Sequence, residues 1–187
     1  RIEMVIRESE QQTRAVNAIS LLKARYVVET EEWSLAEVTE ESSVPELLAT
    51  GLSAVRLGDI DTAKKTEVEL AKRAADGTSQ IKITHKEVAA MIRLAEGRGD
   101  EATMLMDEAL EIVDTQRLPN GAATPVKPPY ELYGELLLAL DRPEEAGEKF
   151  EVSLLRMPKR TRSLLGAARA AAASGDDATA REYYSEL

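Results

Sequence analysis

Few residues in this chain have the type and spacing to do chemistry, and their neighbours restrict what that chemistry would be. His85 is the only histidine among 187 residues. A metal site or proton relay needs companions, and neither an HExxH pattern nor a second histidine is present. It follows Thr84 in "THKE" (84–87), which reads as a capping box, so His85 is expected to be solvated in the first turn of a helix. The acidic runs "ETEEW" (29–33) and "EVTEESS" (37–43) hold carboxylates enough for a calcium or glycosidase cluster. They lack the alternating register and central glycine of a calcium loop and are read as solvated helix faces. Arg98-Gly99-Asp100 spells an adhesion tripeptide but falls where a helix–helix turn is expected. The chain has no cysteine, which removes thiol catalysis, disulfides and iron–sulfur clusters. With no nucleophile–base set, metal cluster or phosphate loop, the chain is expected not to be an enzyme and to take no cofactor or metal.

Two arginines are more suggestive. Arg162 and Arg169 are seven residues apart, two turns along one helix face. They are placed either to grip a partner's carboxylate or to pair with Glu131 and Glu135 on the preceding first helix. Met91 is expected to face a groove as an adaptable apolar contact, whereas Met106 takes a core position. Trp33 is read as a core wedge at a turn.

The elements that position these residues follow from composition and repetition. Acids number 34 against 24 basic residues, and a net charge of −10 disfavours nucleic acid. Hydrophobic residues make up 43% and aromatics 4%, with alanine and leucine prominent, which points to helices. No apolar run is long enough for membrane insertion, so a soluble protein is expected. The start at Arg1 is read as a fragment or processed chain. The compartment stays open between the cytoplasm and periplasm of a bacterium.

"LGDIDTAKKTEVEL" (57–70), "GRGDEATMLMDEAL" (97–110), "LDRPEEAGEKFEVSL" (140–154) and "SGDDATAREYYSEL" (174–187) repeat one pattern. It aligns Ala63, Ala102, Ala146 and Ala180, at intervals of 39, 44 and 34 residues. Twelve positions before each lies another small residue: Gly51, Ala90, Gly134 and Ala168. Such pairs let two antiparallel helices approach closely where they cross. Larger residues four places on, Glu67, Met106, Phe150 and Tyr184, would cover the next hairpin. Gly58 and Gly175 are expected at left-handed helix ends, Asp59 and Asp176 as N-caps, and Pro143 at a first helical position. Ser43 to Glu46 reads as a capping box, and Thr161 as a cap after Pro158.

The expected fold is all-α with no sheet: hairpins at 44–76, 84–117, 128–157 and 161–187 in one continuous solenoid. Residues 1–43 form a degenerate N-terminal part, in which Ala24 and Ala36 pair in a short hairpin after the remains of an earlier helix. Residues 75–83 and a proline-rich loop at 115–129 lengthen two of the units.

The third unit, with Tyr130, Tyr133, Gly134, Leu137, Ala146, Phe150, Ser153 and Pro158, resembles the tetratricopeptide repeat (TPR). The fourth, with Leu164, Ala167, Ala168, Ala171, Ala180, Tyr184 and Leu187, is similar. The pattern resembles C-terminal arrays of bacterial TPR proteins of unassigned function. The resemblance implies an alpha-alpha superhelix of about four to five hairpins whose first helices line a concave groove for a peptide. By position the groove would present Leu48, Leu52, Val55, Arg56, Glu87, Met91, Leu94, Glu131, Glu135, Leu138, Arg162, Leu165 and Arg169. Leu48 and Leu52 stand where chaperone-binding members carry clamp residues, so that clamp is absent. A non-catalytic scaffold for another protein or peptide is therefore expected, with self-association possible at the C-terminal helix. The alternative is an auxiliary helical region of a larger enzyme or transport assembly whose active part lies upstream of Arg1.

Overall fold

A computed structural model describes residues 2–117 and 125–187, with side chains from Arg14 onward. The central part of the expected proline-rich loop, 118–124, lies outside the described residues. Among the described residues there are nine helices and no strand. They are α1 (Ile2–Thr30), α2 (Val44–Leu57), α3 (Ile60–Ala74), α4 (Ser79–Ala95), α5 (Gly99–Asp114), α6 (Pro129–Ala139), α7 (Pro143–Arg156), α8 (Thr161–Ala173) and α9 (Asp177–Ser185).

Local chemistry sets several of the boundaries. The Ser43 side chain accepts from the Glu46 amide while the Glu46 carboxylate accepts from the Ser43 amide, which closes the box that starts α2. Gly58 ends α2 at φ 77°, and Asp59 caps α3 by accepting from the Thr62 amide. Asp176 does the same for α9 through Thr179, and Pro143 opens α7. Two expected caps do not form. Thr84 lies buried inside α4, which starts at Ser79 after Thr78. The extra residues at 75–83 thus mostly lengthen a helix, because Ile83 gains a fully buried site there. Thr161 is likewise the first residue of α8, with Arg160 at the cap.

Consecutive helices pack on one another, and α2, α4, α6 and α8 also pack each on the next. These first helices form an inner row, and α3, α5, α7 and α9 stand outside it. All eight small residues, Gly51, Ala63, Ala90, Ala102, Gly134, Ala146, Ala168 and Ala180, are buried. A Cβ on Gly51 would lie 2.8 Å from Thr66 Oγ1 of α3 and 2.9 Å from Val88 of α4, so three helices meet at hydrogen-atom clearance. Phe150 of α7 is sandwiched in the same way. An added Cβ would meet its ring at 2.7 Å from Gly134 of α6 and at 2.2 Å from Gly166 of α8. Met106 is fully buried, but Glu67 is only partly covered and Tyr184 is half exposed on α9. Tyr130 and Tyr133 of α6 donate to Asp114 and Asp107 of α5, tying successive hairpins.

The N-terminal region departs from expectation. There is no hairpin: α1 is one continuous helix, 31–43 is irregular, and Ala36 is exposed while Ala24 is buried. Glu31 terminates the helix at φ 58°, and the Thr30 hydroxyl turns back to the Tyr26 carbonyl. The acidic runs are therefore largely a non-helical segment, not a helix face. Their like charges oppose a second helix. Arg73 of α3 holds the segment instead by donating to the carbonyls of Glu40 and Ser42.

Candidate functional site

The inner row was expected to present an open groove, but its floor is covered. Leu48, Leu52 and Met91 are buried, in one cluster with Ala24 and Val28 of α1. α1 packs on α2, and polar contacts join it to residues farther along the chain. Ser20 donates to Glu46 at the start of α2. Arg25 reaches the Pro125 carbonyl, and Glu29 pairs with Arg160 at the start of α8, at 2.8 Å. Just past the helix, Glu31 pairs with Arg162 at 2.5 Å, and Arg56 lies over the Trp33 ring at 5.9 Å. The amphipathic character of α1 explains this seat, since Ala24 and Val28 are four apart on the face that meets the row.

Beneath α1 lies a network of charges. The Glu131 carboxylate is fully enclosed. It accepts from Lys127 Nζ at 3.0 Å, from Arg160 Nε and Nη2 at 2.6 and 2.9 Å, and from the Ser163 hydroxyl at 2.6 Å. Burial alone would push its carboxyl up, but the Lys127 charge and the Arg160 bonds outweigh it and hold the carboxyl at about 2. Lys127 also donates to Glu135 at 2.5 Å. Glu87 occupies the corresponding place on α4 with the opposite outcome. It is fully buried, neither oxygen finds a hydrogen bond among the described residues, and burial drives its carboxyl well up against the weaker pull of Lys127.

The uncovered remainder of the row is a pocket of about 310 Å³. Glu31, Arg56, Glu135, Leu138, Arg162 and Arg169 line it, with Leu165, Phe150 and Gly166 behind them. Six of the thirteen residues proposed for the groove, Arg56, Glu135, Leu138, Arg162, Leu165 and Arg169, thus converge from α2, α6 and α8. Leu52, Met91 and Glu131 are sealed from solvent, and Leu94 is partly buried away from the pocket lining. Arg162 does not pair with Glu131 or Glu135, because Arg160 and Lys127 already hold those carboxylates. Arg169 is exposed and makes no ion pair among the described residues.

Lys127, Arg160, Ser163, Glu29 and Glu31 were not anticipated. Lys127, just ahead of α6, had one readable signal, the four-residue steps to Glu131 and Glu135. Arg160 and Glu29 had none, since their meeting depends on how α1 lies. His85 is half-buried within α4 rather than solvated at its start, and burial lowers its pKa. Among the described residues no cluster of three metal-ligating side chains occurs, and no helix is long and apolar enough to cross a membrane. No protein-family profile, curated protein or solved structure matches the chain.

Proposed function

We propose that this chain is a TPR-like superhelix that serves as a protein-interaction scaffold and docks an extended or helical peptide on its inner face. The observation carrying this reading is the pocket itself. Arg56, Glu135, Leu138, Arg162 and Arg169 come from three separate helices, and the inner row brings them around one opening. Side chains of that kind offer charge-assisted hydrogen bonds around an apolar patch, which suits a peptide's mixed surface. The packing of each first helix on the next supports the repeat architecture, as do the buried small residues that let paired helices approach.

A photo-crosslinking residue at position 138 or 165 tests the placement. Peptides from a random array should be captured at these positions, and Arg169→Glu should abolish capture. Capture that instead maps to the outer face, at positions such as Val68 or Met104, would overturn the reading; both side chains are exposed there.

A further inference from the structure

The charges lining the pocket do not cancel. Three guanidinium groups face two carboxylates. Glu135 is held by Lys127 and lies 3.8 Å from Arg56, while Glu31 is held by Arg162. Arg169 remains, two turns along α8 from Arg162 and open to solvent.

Glu31 is an unusual occupant. Its φ of 58° is a left-handed conformation in which any side chain beyond glycine is crowded. It lies just beyond α1, in an irregular segment, with about half of its side chain exposed. It pairs with Arg162 Nη2 at 2.5 Å, and the buried Arg162 Nε finds no hydrogen-bond partner among the described residues. A guanidinium binds carboxylates best through two parallel N–H groups, so the present ion pair leaves part of Arg162's capacity unused.

We propose that Glu31 is a built-in stand-in for a partner's carboxylate, and that the pocket's ligand is an acidic peptide segment that displaces Glu31 and bridges Arg162 and Arg169. This rests on the interaction reading above and names its ligand chemistry and its control. The net charge of −10 repels such a peptide at long range. Selectivity therefore comes from contact inside the pocket, not from electrostatic steering. Displacing Glu31 also loosens the adjoining residues, including Trp33 against Arg56, while Arg73 keeps hold of Glu40 and Ser42.

Trp33 is the only tryptophan and reports directly on that event. Fluorescein-labelled peptides of three kinds serve as probes: internal glutamates with an amidated end, a neutral sequence ending in a free carboxylate, and a lysine series. The internal-glutamate series should bind and the lysine series should not; binding of the neutral free-carboxylate series alone would overturn the acidic-segment assignment. Glu31→Gln should bind the carboxylate peptide about three- to tenfold more tightly, since its internal competitor is weakened. Arg169→Ala should weaken binding about tenfold. Trp33 emission should shift to the red in Glu31→Gln alone, with helicity by circular dichroism unchanged. If peptides crosslink in the pocket but bind wild type and Glu31→Gln equally, or ignore the loss of Arg169, this inference fails and the scaffold reading stands. If no peptide of any series binds, the scaffold reading fails and takes the inference with it.

Discussion

Glu87 and Glu131 stand at the same place in successive first helices, yet their surroundings give them opposite electrostatics. Glu131 keeps its charge because Lys127, Arg160 and Ser163 close around it. Its folded value of about 2 lies below the ordinary 4.5, so its contribution is complete above pH 4.5 and is lost as pH falls toward 2. Glu131→Gln should therefore cost on the order of 3 kcal/mol at neutral pH, and much less near pH 3. Glu87 is raised, so its sign is reversed: stability is fully present below 4.5 and falls as pH rises through the folded value. Glu87→Met removes two buried, unbonded oxygens and should stabilise the fold by about 1–3 kcal/mol at pH 7.5, with a smaller gain at pH 4. Urea denaturation of both variants at several pH values checks the pair; parallel pH profiles would mean the burial assignments are wrong. In the sequence only Lys127, four residues before Glu131 where Ile83 precedes Glu87, separates these two glutamates; Arg160 and Ser163 reach Glu131 from far along the chain.

Helices were readable where their ends are marked by short-range chemistry. Ser43 with Glu46, Asp59, Asp176, Gly58 and Pro143 each act within a few residues, so the chain's order alone reveals them. Thr84-x-x-Glu87 spells the same signal and misleads, because burial of Ile83, Thr84 and Glu87 against neighbouring helices favours continuing α4 through it. The hairpin expected around Ala24 and Ala36 fails for a similar reason. Its acidic second arm gains more from Arg73 and the inner row than from a helix of its own. At this scale the glycines on either side of Phe150 invite a test. Glycine to alanine normally stabilises a helix interior by about 1 kcal/mol. At Gly134 and Gly166 the added carbon would run into a fully enclosed ring, so each substitution should destabilise by about 1–3 kcal/mol instead. Chemical denaturation showing either variant to be more stable than wild type would place Phe150 elsewhere.

For the molecule as a whole, the row of first helices follows from a repeat that recurs along the chain, and small residues at fixed spacing announce it. What the repeat could not announce is that the N-terminal region reaches the start of α8. The seat of α1 depends on Glu29, Glu31, Ser20 and Arg25 finding partners far along the sequence, and such pairings leave no periodic trace. Stacked hairpins that touch only their neighbours lose structure piecemeal, beginning where they are least supported. Here the Glu29–Arg160 ion pair links the end of α1 to the beginning of α8. Arg160→Ala should therefore lower protection against hydrogen exchange in α1 as well as in α8. Loss confined to α8 would show that the two are independent. Like the hoop around a barrel's staves, the first helix would make a set of separable parts yield together, so that loosening it loosens the far end as well.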